Sequence, residues 1–500
     1  MTPSHLRLHA RDTVVTALRP LEVGEVIEGV RLRQAIPAGH KLAVASMAVG
    51  EPVVKYAATI AVAVRAIQAG DHVHIHNAAM PDALGVRQSS LQRAQQPSTA
   101  EPRTFQGFRR EDGRVGTRNY VGVLTTVNCS ATVARAIADR FRKPALDRWP
   151  SVDGVVALTH AYGCAMGHDS EGIRTLRRTL AGYARHPNFA GVLLLGLGCE
   201  SNELSALMEA CRDVPHLRAM DVQSTGGTVA TIEAGSRAVM ELLDVAAAAR
   251  RTPQPISHLA VGLQCGGSDG FSGITANPAL GSAADHLVSH GATVILSETP
   301  EIYGAQHLLT SRAVSPTVAA ALENRIAWWA EHAAAGGGTL NDNPSAGNIA
   351  GGITTILEKS LGAVAKGGGS PLNAVIQYAE PLTSHGLVFM DSPGYDPMSA
   401  TGQVASGANV LAFTTGRGST FGCKPAPSLK LATNADLYRR MRDDMDVNCG
   451  DILEQGVSVA DKGREIFDAI IDLASGQPSA SERHGFGEAE FTPWTPGVIT

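Results

Sequence analysis

From about residue 104 onward, apolar residues arrive in continuous runs of six to eight, each followed by a turn and then a stretch of helical periodicity. YVGVLTTV leads into ATVARAIADRF, VDGVVALT into SEGIRTLRRTLAGYA, and FAGVLLLG into SNELSALMEACRDV. A strand apolar at every position is buried on both faces, so this alternation predicts parallel sheets covered on both sides by helices. The pattern pauses at RRTPQP, Arg250–Pro255, which reads as a boundary, and resumes with LAVGLQ, PALGSAADHLVSHG and ATVILSE. Beyond about residue 340 it continues more loosely, with NPSAGNIAGG, KGGGSP and TTGRGSTFG as glycine-rich loops. There is no sequence repeat.

Residues 1–80 follow a different pattern. LRLHA, TVVTAL and VVKYAA are strand-like, and IPAGHKLA is a turn running into a strand. A helix fits ATIAVAVRAIQAG, against its β-branched content. GDHVHIHNAA places His72, His74 and His76 at alternate positions, so a strand there would point all three imidazoles to one face. The expected organisation is α/β: a small β-rich domain (1–80), a Gln/Ser/Pro-rich linker (81–103), an α/β domain (104–250) and a C-terminal α/β domain (251–500) with mainly parallel sheets.

Composition narrows the function classes. The chain has 500 residues, 44% hydrophobic, and carries a formal charge of −5 with no dense Lys/Arg run, which speaks against nucleic-acid or membrane-surface partners. MTPSHLRLHARD is polar where a signal peptide needs its apolar core, and no apolar run reaches membrane-spanning length, so a cytoplasmic protein is expected. Its seven cysteines then read as thiols or metal ligands rather than disulfides.

Four of these cysteines occupy equivalent places. Cys129, Cys164, Cys199 and Cys265 each follow an apolar strand and precede a helix, at the sheet edge where open α/β folds bind ligands. Buried cysteines also fill gaps as small apolar residues, and Cys211, within a helical stretch, is assigned to the core. GLGCES (196–201) resembles a dinucleotide fingerprint with Asp221 as the distal acid, but Glu200 stands where a pyrophosphate would lie. The same loops carry His160, His168, Asp269, Glu298 and Glu301, with Arg417 and Lys424 later. Cys, His and carboxylates suit a divalent transition metal, and Arg and Lys suit a substrate carboxylate.

The residues GHKLA (39–43), GDHVHIHN (70–77), GFRREDGRVGTRNY (107–120), HAYGCAMGHD (160–169), GLGCESN (196–202), CGGSDGFSGITANPALG (265–281), ETPEIYGAQ (298–306), NPSAGNIAGGITTILEKSLG (343–362) and TTGRGSTFG (414–422) resemble the altronate and galactarate dehydratases, sugar-acid dehydratases with a relative in sulfolactate sulfo-lyase. FGCKPAPSLKLATN and Cys449 in MDVNCGDI depart from that pattern. The resemblance implies an N-terminal domain of the SAF type, a requirement for Fe(II), or alternatively Mn(II), and conversion of a 2,3-dihydroxy acid to a 2-keto-3-deoxy acid.

Such a reaction needs a Lewis acid to stabilise the enediolate and a base near neutral pKa. The expected acid/base and metal-binding set is His72, His74 and His76, assisted by His40 and Lys41 across the domain junction. Cys129, Cys164, Glu200 and Cys265 are expected to complete the metal site, and Arg118, Asn119, Asp269 and Arg417 to hold the substrate. The alternative cofactor is an iron–sulfur cluster on Cys129, Cys164 and either Cys199 or Cys265. Altronate is the expected substrate, with galactarate, another aldonate or aldarate, or a sulfolactate-type lyase reaction as alternatives. An NAD-dependent oxidoreductase and a non-catalytic sugar-acid sensor are the rivals from other classes. The oligomeric state stays open, with a homodimer as one option.

Overall fold

The computed structural model describes residues 3–81 and 101–497. Most of the expected linker 81–103 therefore lies outside the described residues. The first eighty residues form short antiparallel strands. His5–Leu6, Val14–Ala17, Lys41–Ala43 and His72–Val73 make one sheet, and Pro52–Lys55, Ala58–Ala63 and Ala78–Ala79 another. Val14–Ala17 is buried throughout because it lies between two small cores, one around Val14, Val53 and Ile60 and one around Val15, Leu21 and Leu32.

Two local expectations in this domain are corrected. ATIAVAVRAIQAG is not a helix. Ala58–Ala63 is a strand paired with Pro52–Lys55, as its β-branched Thr59, Ile60 and Val62 favour. GDHVHIHNAA is not one continuous strand either. It bends after Val73 because the Asn77 side chain closes a turn, accepting from the His74 N–H (2.9 Å) and donating to the His72 carbonyl (2.9 Å).

The fully apolar runs do form parallel sheets. Gly154–Leu158, Tyr120–Thr125, Phe189–Gly196 and Leu217–Asp221 lie side by side in that order, flanked by helices Ala131–Asp139, Glu171–Ala184 and Thr228–Ala248. A seven-stranded parallel sheet follows, ordered Leu372–Ile376, Gly386–Met390, Thr293–Leu296, Ala260–Cys265, Val410–Thr415, Ser428–Ala432 and Val447–Asn448. RRTPQP is itself structured. Arg251–Pro255 pairs antiparallel with Thr104–Arg109, so the chain enters and leaves the four-stranded unit through one small sheet.

In the larger sheet the chain builds outward from Ala260–Cys265 on one side and then returns to place Val410–Thr415 on the other. That reversal opens a crevice at the carboxyl ends of these two strands. Gly416 and Arg417 donate their N–H groups to the Gly267 carbonyl there, at 3.1 and 2.9 Å. The small domain closes over this edge. A Cβ on Gly270 would fall 2.0 Å from the Gly39 carbonyl oxygen, and one on Gly352 (φ +100°) 2.4 Å from it. Only glycine permits so close an approach.

Candidate functional site

His40 reaches the site from the turn before Lys41–Ala43, and His72 and His74 from the strand and turn beside it. Each of the three offers one ligand-type nitrogen, and these lie within 4.8 Å of one another. His40 Nδ1 is 3.0 Å from His72 Nε2, while His40 Nε2 faces the Ala350 carbonyl at 3.2 Å. That second contact requires the proton on Nε2 and leaves the Nδ1 lone pair directed into the cluster. A carbonyl fixing the tautomer in this way is the usual second partner of a metal-binding histidine. His76 is exposed and outside the triad, its ring centroid 5.4 Å from that of His72.

Electrostatics hold these rings neutral. Burial, together with the surrounding His40, His74 and His76, lowers the His72 pKa to about 3. Burial, then Lys41 and His40, lowers His74 to about 4, and burial lowers His40 as well. Three neutral imidazoles with convergent nitrogens suit a divalent transition metal.

Beneath them lies a buried ion triplet. Lys41 and Lys55 both donate to Glu358, at 2.7 and 2.9 Å, and Lys41 also to the Gly352 carbonyl. Burial pushes Lys41 down to about 8, against the pull of Glu358, while the two ammonium groups outweigh burial and hold Glu358 at about 2. Glu358 sits in the first turn of helix Ile356–Ala365, so this triplet ties the small domain to the large one. Lys55, Tyr56, Asp269, Glu358 and Lys359 line a small cavity of about 10 Å³, room for about one water molecule.

Lys359, the next residue of the helix, reaches a second buried group through Glu301 at 2.7 Å. There Cys265 Sγ lies 3.4 Å from Glu301 and 3.9 Å from Glu298, and the three form the other convergent ligand set among the described residues. Lys366 Nζ lies 2.8 Å from that sulfur and 3.2 Å from Glu298. Burial, reinforced by Glu301, raises Glu298 to about 8 and Asp396 to about 7. Glu298 has positive φ (69°), and its second carboxylate oxygen is buried without a partner among the described residues. Cys265 thus joins a lysine–carboxylate group and is not part of the histidine triad.

Other expected site residues are committed elsewhere. All five guanidinium donors of Arg118 are taken, by Glu482 and the carbonyls of Thr117, Leu473 and Gln477. Asn119 bonds Ser151, Ala246 and Arg110. Asp269 lies at the crevice, but its carboxylate accepts from Phe271, Ser272, Thr433 and Asn434, so it shapes the loop. Glu200 is no free ligand: it accepts from Thr126 Oγ1 (2.5 Å) and from the Leu197 and Gly198 N–H groups, filling the place a pyrophosphate would need. Lys424 pairs with Glu488. Arg417 is exposed at the crevice, with no side-chain partner among the described residues. Cys129, Cys164 and Cys199 lie on the edge of the four-stranded sheet, outside both ligand sets.

Sequence reasoning missed Lys55, Glu358, Lys359, Lys366 and Asp396. The available signal was a lone charge inside an apolar stretch, as in VVKYAA and LGAVAKGG. A lysine buried that way must be paired. A second cavity at the amino-terminal end of the four-stranded sheet is lined by Arg110, Arg114 and Arg185. Those arginines are engaged by Asp112, Asp213, Asn119 and backbone carbonyls, so the cavity brings no catalytic constellation.

Known families match this chain along most of its length. Residues 3–81 match the altronate/galactarate dehydratase SAF domain, residues 107–247 the D-galactarate dehydratase/altronate hydrolase second domain, and residues 256–499 the D-galactarate/altronate dehydratase C-terminal region. Altronate dehydratase of Bacillus subtilis strain 168 is 37% identical over 97% of this chain and 98% of its own. Altronate dehydratase of Escherichia coli K12 is 36% identical over the same shares. Galactarate dehydratase (L-threo-forming) of Escherichia coli K12 is 36% identical over 95% of this chain and 94% of its own. The chain belongs to the altronate/galactarate dehydratase family, and it is a hydro-lyase.

Proposed function

We propose that this sugar-acid dehydratase is metal-dependent and acts on altronate, giving the 2-keto-3-deoxy acid, with His40, His72 and His74 holding Fe(II) or, alternatively, Mn(II). The observation that carries the reading is the triad of converging imidazoles held neutral by burial at the junction of two domains. A divalent ion there supplies Lewis-acid stabilisation for the carboxylate as the C2 proton leaves.

The chain's own groups do the rest. Arg417, exposed at the crevice with no side-chain partner among the described residues, takes the substrate carboxylate. His76, the exposed imidazole next to His72, accepts the C2 proton and returns it to the departing C3 hydroxyl, which leaves as water. Lys41 and Glu358 act as positioning residues, fixing the turn that presents His40. The altronate preference rests on the two altronate dehydratases among the relatives.

The test is an anaerobic turnover screen of metal-stripped protein over a panel of aldonates and aldarates. Activity on altronate restored by Fe(II), with none in chelator, is the expected result. Full activity in chelator sinks the metal reading, and a better rate on galactarate reassigns the substrate.

A further inference from the structure

Three of the thiols outside the site share a place of their own. Cys164, Cys129 and Cys199 follow Gly154–Leu158, Tyr120–Thr125 and Phe189–Gly196, three adjacent strands of the four-stranded sheet. Their turns are bonded to one another. The Asn128 N–H donates to the Tyr162 carbonyl and the Asn202 N–H to the Gly163 carbonyl, both at 2.9 Å. Asn202 Nδ2 donates to the Thr126 carbonyl at 3.0 Å, and Thr126 Oγ1 to Glu200. A Cβ on Gly163 would fall 2.4 Å from the Thr126 oxygen, so the turn carrying Cys164 rests directly on the one carrying Cys129.

All three thiols are exposed and none is in a disulfide. Cys199 accepts from Gln223 Nε2 at 3.4 Å, while Cys129 and Cys164 have no partner among the described residues. Cys129 also precedes the nine-residue helix Ala131–Asp139, whose dipole favours a thiolate.

We propose that Cys129, Cys164 and Cys199 hold a cuboidal [4Fe–4S] cluster, with the fourth iron open to a hydroxyl or carboxylate oxygen. Geometry argues against a single ion. Two thiolates on one zinc lie no more than about 4.6 Å apart, given a Zn–S bond of about 2.3 Å. These three sulfurs do not come within 4.8 Å of one another as a set, whereas the histidine triad does. A cluster of several irons suits thiolates set farther apart than one ion can hold. Binding it releases three thiol protons, since each sulfur ligates as thiolate. The Gln223 N–H directed at Cys199 is the kind of donor that tunes a cluster's potential. Cys265 is excluded as a member because it ends a strand of the other sheet, against Lys366.

The experiment uses the full chain, purified anaerobically and reconstituted with iron and sulfide. About four iron and four acid-labile sulfide per chain are expected, with a sulfide-to-iron charge-transfer band in visible light. Each of Cys129→Ser, Cys164→Ser and Cys199→Ser should lose sulfide and band while keeping the circular dichroism of the parent. His72→Ala should keep both, which separates this site from the histidine centre. Gln223→Ala should keep the cluster and shift its reduction potential. A reconstituted protein without sulfide, zinc alone on the three thiols, a reversible disulfide between two of them, or a band that survives the triple serine variant would each overturn the proposal.

Discussion

The two parallel sheets end in edges of the same topological kind, and the chain treats them in opposite ways. At the seven-stranded sheet the small domain covers the edge, and the groups beneath are buried: Lys41, Glu358, Cys265, Glu298 and Lys366 are all 4% exposed or less. At the four-stranded sheet the described residues leave Cys129, Cys164 and Cys199 open. Covering removes water, and that is what moves the pKa values of the first group so far. The lesson is that a strand end supplies location, while a second domain laid over it supplies the low dielectric that tunes the chemistry.

Replacing His72 or His74 with Ala should break the covered edge most severely. Turnover is expected to fall by about 10²–10⁴-fold, with bound Fe(II) lost in parallel by metal analysis. Retention of both would return the histidines to a structural role.

Glu358→Ala should come next, because it leaves Lys41 and Lys55 buried without their counter-charge. A loss of about 3–5 kcal/mol is expected in chemical denaturation. An effect below about 1 kcal/mol would mean that the two domains do not rely on this triplet.

Arg417→Ala should raise KM about tenfold, equivalent to roughly 1.4 kcal/mol for one charge-assisted contact, and leave kcat within about threefold. A fall in kcat alone would place Arg417 in the chemical step instead of substrate binding.

The pH dependence of metal-free protein sharpens the contrast further. His40, His72 and His74 have folded pKa values below the ordinary 6.5, so below that pH the unfolded chain binds protons that the folded chain does not. The share of stability carried by these histidines should therefore be complete above about pH 6.5 and be lost as pH drops from there toward about 4, on top of the opposite slope that the raised Glu298 and Asp396 impose up to about pH 8. Glu358, depressed to about 2, adds its own loss only below about pH 4.5. Denaturation midpoints across this range would check the slope, and His72→Ala should flatten it.

The smallest effect is expected on the open edge. In cluster-free protein, Cys129→Ser should change stability by no more than about 0.5 kcal/mol, as befits an exposed side chain. A larger loss would show that the thiol is packed and not free.

The parallel sheets were legible because a strand buried on both faces must be apolar at every position, as FAGVLLLG is. The histidine cluster was legible in part: His72 and His74 converge, but the chain bends after Val73, His76 lies outside the set and His40 joins it. Arg118 and Asn119 misled because a polar pair beside a strand looks the same whether it meets substrate or, as here, Glu482 and backbone carbonyls.

Sequence alone determined the α/β class, the small β-rich front and the types of residue available for catalysis, because periodicity and residue chemistry are local properties. Only the tertiary structure decided the partnerships: Glu358 with lysines more than 300 positions away, His40 with His72, and Cys265 with Lys366 in place of the other thiols. Those are set by how domains pack and which charges lose their water, and neither is written in any single stretch of chain.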